Sequence, residues 1–192
     1  MHGRLKVLMG GLVALTLLGA ACGADEPAPP PAPAAPFGSA CSEVPSDGDG
    51  SFEGMMTVPV ATAASANPLL TTLVQDVELA GLFDTLNTAP DLTVFAPTNA
   101  AFDAVAAADP EGVAAMMADP TGALADLLTY HVVEGQIPPG ELAGDHTTLN
   151  GATLTVEGSG EAFTVNGSAM VVCGDVHTDN ATVYIVDSVL MP

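Results

Sequence analysis

Thr93-Val94-Phe95-Ala96-Pro97-Thr98-Asn99-Ala100-Ala101-Phe102 carries a strand, a stop and a helix start in one short run. Thr93 to Ala96 is β-branched, aromatic or small, as a buried strand requires, and Pro97 withholds the amide that a ladder would need. Thr98 then stands where its hydroxyl can accept from the first free amides of a helix beginning at Asn99. On either side of this run the apolar residues fall at helical spacing. After Asn67-Pro68 come Leu69, Leu70, Leu73, Val74 and Val77, a second pattern holds Leu79, Leu82, Phe83 and Leu86, and Leu124, Leu127 and Leu128 follow Asp119-Pro120. Each pattern predicts a helix with one apolar face. Asn67-Pro68, Asp109-Pro110 and Asp119-Pro120 each place a capping residue before a proline suited to the first helical position.

Beyond residue 147 the period changes to two. Asn150-Gly151 lies between Thr148-Leu149 and Ala152 to Val156, and Asn166-Gly167 lies between Phe163 to Val165 and Ala169 to Val172. Asn-Gly between β-rich runs is a strong hairpin signal. The last strand, Thr182 to Leu190, is apolar on both faces and is expected at the centre of a sheet. Helices first and strands second, with one strand at Leu92 to Ala96 among the helices, predict an α+β domain. About 150 residues are available to it, enough for one domain and not two.

The strand–proline–helix run, Tyr130-His131 and the tail Ala181-Thr182-Val183-Tyr184-Ile185-Val186-Asp187-Ser188-Val189-Leu190 together resemble the fasciclin domain. The resemblance covers Met55 to Pro192 and rests on three separated motifs in the right order. It implies a fasciclin-like fold, helices packed on a wedge-shaped β-sandwich, and an extracellular adhesion or interaction role. In fasciclin domains the Tyr-His pair is largely structural, with the imidazole hydrogen-bonded inside the domain. In some adhesion relatives the same region is implicated in receptor contact, which makes Tyr130 and His131 the candidate adhesion motif here. Secreted mycobacterial antigens of the fasciclin type are similar throughout the domain and share its paired cysteines.

The beginning of the chain reads as a targeting segment. Arg4 and Lys6 precede an apolar run from Val7 to Leu18, and Gly19-Ala20-Ala21 leads to Cys22. That pattern predicts a secretory signal over 1–21, too short for a comfortable membrane span. Leu-Gly-Ala-Ala-Cys resembles a bacterial lipobox, although Leu18 stands four residues before Cys22 where three is usual. Cys22 is therefore the expected lipidation site, against the plainer reading of cleavage and release. Gly23 to Pro36 is almost wholly Ala and Pro and predicts an extended stalk; at roughly 3.1 Å per residue it spans about 40 Å. The linker as a whole is assigned to 22–54 and the domain to 55–192.

Both basic residues, Arg4 and Lys6, lie within the signal, so a chain starting at Cys22 has no Lys or Arg against 23 Asp and Glu. Nucleic-acid binding is excluded, because no cation is left to neutralise phosphate. Direct attraction to anionic lipid is excluded too, so the membrane is reached only through an acyl anchor. Expected partners are protein or matrix surfaces at the cell exterior, met by a monomeric domain. Self-repulsion predicts that added salt raises the melting temperature. Unpaired carboxylates predict greater stability near pH 5 than at neutrality.

With Cys22 acylated, Cys41 and Cys173 remain, and in an exported protein they are expected to form a disulfide. No Gly-x-Ser-x-Gly elbow, His-Glu-x-x-His or phosphate loop is present, so no enzyme is expected, and no cofactor. His146 and His177 sit among polar residues and are expected to be solvated. Asp47-Gly48-Asp49-Gly50-Ser51-Phe52-Glu53 opens like a calcium loop, but Phe52 stands where glycine belongs and Val58 where the bidentate Glu belongs, so an acidic lead-in is expected. Asn166-Gly167-Ser168 and Asn180-Ala181-Thr182 match the N-glycosylation pattern and are read as turns. Met55, Met56, Met116 and Met117 are expected in the core. The sequence thus predicts a bacterial protein, exported and lipid-anchored on the extracellular face of the membrane or secreted, mediating adhesion or host/matrix interaction. The rival reading is a cell-envelope carrier of a lipid or other hydrophobic small molecule, which an apolar pocket of several hundred Å³ would favour.

Overall fold

The computed structural model describes residues 35–192; the segment assigned to the signal, Cys22 and most of the stalk lie outside the described residues. The chain is tied down earlier than residue 55, where the sequence reading begins the domain. Phe37 donates to the Gly174 carbonyl and accepts from its amide, at 3.1 and 2.8 Å. Phe37 itself is buried beside Phe163. A 3-10 turn, Ser39–Glu43, follows. The acidic stretch is a turn that ends in a capped helix, Phe52–Met55 (α1), whose Gly54 amide donates to Ser51 Oγ. Acidic composition marks exposed backbone, and Asp47 and Asp49 are exposed; it did not mark the apolar Phe37, Val44 and Met55 that anchor the segment.

Three helices follow: Val60–Ala66 (α2), Thr71–Leu79 (α3) and Phe83–Thr88 (α4). Gly81, at φ 71°, breaks the chain between α3 and α4. Leu79, expected on an apolar face, is instead half exposed at the end of α3. Asn67 does not cap α3 as its place before proline predicts. Its Oδ1 accepts from Leu69 two residues on, an Asx turn, and α3 begins only at Thr71.

Leu92–Pro97 (β1) is buried along its whole length, and Thr98 accepts from the Ala101 amide at the start of Asn99–Ala108 (α5). Asp109 and Asp119 cap Pro110–Ala118 (α6) and a π-helical turn, Pro120–Leu124, as their Asp-Pro pairs predict. Ala125–Tyr130 (α7) leads into Val132–Glu134 (β2). The remaining strands are Gly144–Thr147 (β3), Thr153–Ser159 (β4), Ala162–Val165 (β5), Ala169–His177 (β6) and Ala181–Val186 (β7). Asn166 and Gly167 adopt φ 51° and 65°, the left-handed pair a type I′ turn needs between β5 and β6.

The strand order is β2-β1-β7-β6-β5-β4-β3, with β1 and β7 parallel and the other neighbours antiparallel. A bridge between Val133 and Thr148 joins the two edges, so the sheet nearly closes on itself. This gives the α+β wedge. Its central strand β7 is buried on both faces, as its unbroken apolar run predicts. Leu92, Val94, Ala96, Val183 and Ile185 face the helices, while Phe95, Tyr184 and Val186 face the interior of the curled sheet with Leu154, Phe163 and Val165. Of the four methionines expected in the core only Met55 is buried; Met56 and Met117 are exposed and Met116 lies between.

Helix starts α2 and α3 lack caps of their own and receive them from distant asparagines. Asn99 Oδ1 accepts from the Thr72 amide (2.9 Å) and the Thr71 hydroxyl (3.1 Å), while its Nδ2 donates to the Pro68 carbonyl (2.9 Å). Asn180 Oδ1 accepts from the Val60 amide, Asn180 Nδ2 donates to Leu86 and Ala89, and Asn87 Oδ1 takes the Ala61 and Thr62 amides. The Oδ1 atoms thus satisfy the orphan amides of Val60, Ala61, Thr62 and Thr72, while the Asn99 and Asn180 Nδ2 groups donate to the carbonyls of Pro68, Leu86 and Ala89. Asn99→Ala is expected to cost about 1–2 kcal/mol, read as a lowered urea midpoint. Asn99→Asp keeps the acceptor, loses the donation to Pro68, and should fall between.

Candidate functional site

Tyr130 and His131 end α7 and are both buried. The Tyr130 hydroxyl donates to the Thr153 carbonyl (3.3 Å) and accepts from Asn166 Nδ2 (2.7 Å), tying α7 to the Asn-Gly turn. His131 Nδ1 is 2.8 Å from the Leu127 carbonyl, and Nε2 is 3.0 Å from the Leu190 amide. The amide can only donate and the carbonyl can only accept, so the proton sits on Nδ1 and the ring is neutral. Burial pushes its pKa down to about 4. The His131 carbonyl also receives the Phe95 amide at 2.8 Å. The pair therefore joins β1, α7 and the C-terminal tail, and its polar atoms are engaged within the domain.

The other motif residues act alike. Thr93 Oγ1 donates to the Gly135 carbonyl (2.6 Å) and accepts from the Ile137 amide (2.9 Å), and the Tyr184 hydroxyl donates to the Ile137 carbonyl (2.7 Å). Cys41 and Cys173 are joined by a disulfide across a sequence separation of 132 residues. His146 and His177 are not simply solvated. His146 Nε2 lies 2.8 Å from the Leu142 carbonyl, and His177 Nε2 lies 3.2 Å from the buried carboxylate of Asp175. Asp175 sits where β6 departs from regular pairing, at φ 58°; burial raises its pKa and the neighbouring imidazole opposes the rise. Among the described residues no three His, Cys, Asp or Glu side chains gather as a metal site. Both glycosylation patterns sit in turns, as read: Asn166 bonds Thr155 and Tyr130, and Asn180 holds helix ends.

Among the described residues, the apolar spaces within or beside the helices include three of about 50, 150 and 30 Å³. None reaches the several hundred Å³ that would favour a lipid carrier. Two wider hollows, about 610 and 460 Å³, are open surface grooves, the larger bordered by Glu157, Glu161 and the exposed Met170.

Asp76, on α3, was not singled out by the sequence. It is only 4% exposed, and its Oδ2 is buried without a hydrogen-bond partner. Burial raises its pKa from 3.8 to about 6. A raised carboxyl pKa means the native state takes up the proton first, so this residue adds stability as pH falls from about 6 toward 4. His131 works in the opposite sense, because its folded pKa lies below the ordinary 6.5, and its contribution is lost as pH falls from 6.5 toward 4. The two therefore act in opposite directions over this range, with Asp175, whose carboxyl pKa burial also raises, on the side of Asp76. Asp76→Asn separates them. Losing a buried charge while leaving an unbonded amide should stabilise the protein by about 1–2 kcal/mol at pH 7.5. The gain should shrink below pH 6 in thermal melts.

A family model described as Fasciclin domain matches residues 68–192. The cell surface glycolipoprotein MPB83 of Mycobacterium bovis is 49% identical over 152 residues, covering 76% of this chain and 66% of that protein. The chain thus spans just under two thirds of the length of these relatives. The immunogenic protein MPB70 of the same organism is 45% identical over 172 residues, covering 85% of this chain and 86% of that protein. Among solved structures, a FAS1 domain pair from the insect cell adhesion molecule Fasciclin I superposes with a TM-score of 0.59 at 14% identity. It covers 72% of this chain and 52% of that one, a likeness of fold.

Proposed function

Because the chain belongs to the fasciclin-domain family, we propose that it is a non-enzymatic surface protein that mediates adhesion or contact with host or matrix. Its mature form begins at an acylated Cys22, and residues 23–36 hold the domain off the membrane. Relatives named for the cell surface support an extracellular site of action. The observation that carries the reading is the engagement of Tyr130 and His131 in internal hydrogen bonds. The family's signature pair builds a rigid scaffold, which leaves recognition to the exposed surface. That surface has no Lys or Arg from residue 35 onward, so its long-range field draws basic partners.

A deletion strain tests this. Loss of the gene is expected to lower adherence of cells to matrix-coated surfaces, and the wild-type copy to restore it. Cys22→Ser should release the protein into the medium and fail to restore adherence. Undiminished adherence of the deletion strain, at low and high ionic strength alike, would count against the function. An intact mass lacking acyl chains would count against the anchor alone.

A further inference from the structure

The cleft of about 150 Å³ is walled by α3, α5, α6, the π-helical turn and the C-terminal tail. Phe102, Val113, Met116, Leu124 and Leu127 make most of its lining apolar, and Asp76 lines it as well. A mostly apolar cleft is an expensive place for a carboxylate whose Oδ2 is buried with no partner. No cation from the described chain can relieve it. Lys and Arg are absent from residues 35–192, and His131, the imidazole on α7, is spent on Leu127 and Leu190. Met117 and Met191 line the same cleft as exposed side chains, and a flexible thioether adapts to varied apolar shapes. Asp103, also exposed on the cleft, adds a second negative charge.

We propose that this cleft binds a small organic ammonium compound, its apolar body seated against Phe102, Met116 and Leu127 and its ammonium group on the Asp76 carboxylate. The volume sets the size of the body. A cavity of about 150 Å³ accepts a benzene-sized group and not a lipid chain. The charge sets the head group. A carboxylic acid is repelled by Asp76 and Asp103, and a neutral ligand leaves Oδ2 unsatisfied, whereas an ammonium donates to it and neutralises it. The site is independent of the adhesion reading: adherence and occupancy of the cleft can each fail without the other.

Phenethylammonium, titrated into the isotope-labelled, natively processed protein at pH 7.5, is the probe. Saturating amide shifts are expected at Thr72, Asp76, Phe102 and Leu127. 2-Phenylethanol, uncharged and of the same size, should bind at least tenfold more weakly, and 3-phenylpropionate more weakly still. Asp76→Asn should lose at least tenfold in affinity for the ammonium and none for the alcohol. Ala106→Phe, which fills the cleft from an exposed position on α5, should abolish both. Non-saturating shifts, equal affinity for the alcohol, or full binding by Ala106→Phe would overturn the proposal, and none of these depends on the fold of Asp76→Asn. Binding of Nα-acetyllysine amide as tight as that of phenethylammonium would also overturn it, by marking the cleft as a seat for a partner's lysine.

Discussion

Cys41→Ser is expected to lower folding stability by up to about 5 kcal/mol, the chain-entropy figure for a loop of this size. The bond spans 132 residues of sequence, so it restricts the unfolded chain over nearly the whole domain. Domains of this class have only about 5–15 kcal/mol in total. A loss of this size therefore leaves the reduced protein close to its unfolding threshold at physiological temperature. Part of the loss is local. Cys41 fastens the 3-10 turn Ser39–Glu43 onto β6, and Phe37, just before it, is buried beside Phe163. Urea melts with and without dithiothreitol measure the effect. Wild type under reduction should match Cys41→Ser in air, and a midpoint indifferent to reductant would show that packing alone holds the segment.

His131→Ala should cost about 4 kcal/mol. It removes a buried ring from between α7 and the tail, which alone costs about as much as a large-to-small core change. It also leaves the Leu127 carbonyl and the Leu190 amide unpaired in the interior. Leu190, buried against the sheet interior, then loses its anchor. His131→Gln offers a donor and an acceptor of similar reach and should recover a part. The two variants also differ in pH response. Between pH 6.5 and 4 the wild type loses the contribution of the neutral imidazole, and neither variant has it to lose. A His131→Ala protein with wild-type stability would remove the structural role assigned to this pair.

The sequence reads well where one residue's own geometry decides the outcome. Thr98 caps its own helix, Pro97 ends its own strand, and Asn166-Gly167 supplies both positive φ angles of its own turn. Asp109 and Asp119 cap as their Asp-Pro pairs predict. Reading fails where the partner is far away in sequence. Asn99 looks like a second turn residue behind Thr98, yet it caps a helix 28 residues upstream of it. Asn180 matches a glycosylation pattern, yet it closes α2 from 120 residues away. Asp76 has the sequence surroundings of any exposed helical acid, and only tertiary packing around α3 buries it. Its partnerless carboxylate leaves no local signature at all. Asn67 errs the other way, since its Asx turn uses the same side-chain oxygen that a helix cap would.

The Phe37–Gly174 bridge and the adjoining sulfur link also determine how the protein bears tension. A pull arriving from the N-terminal side of residue 35 meets two backbone hydrogen bonds first and a covalent bond immediately after. From there it passes into β6, one of the strands flanking the buried β7, and bypasses the short helices α1 to α4 that would otherwise be peeled off one at a time. Tension entering from that side is therefore borne by the sheet rather than by the short helices.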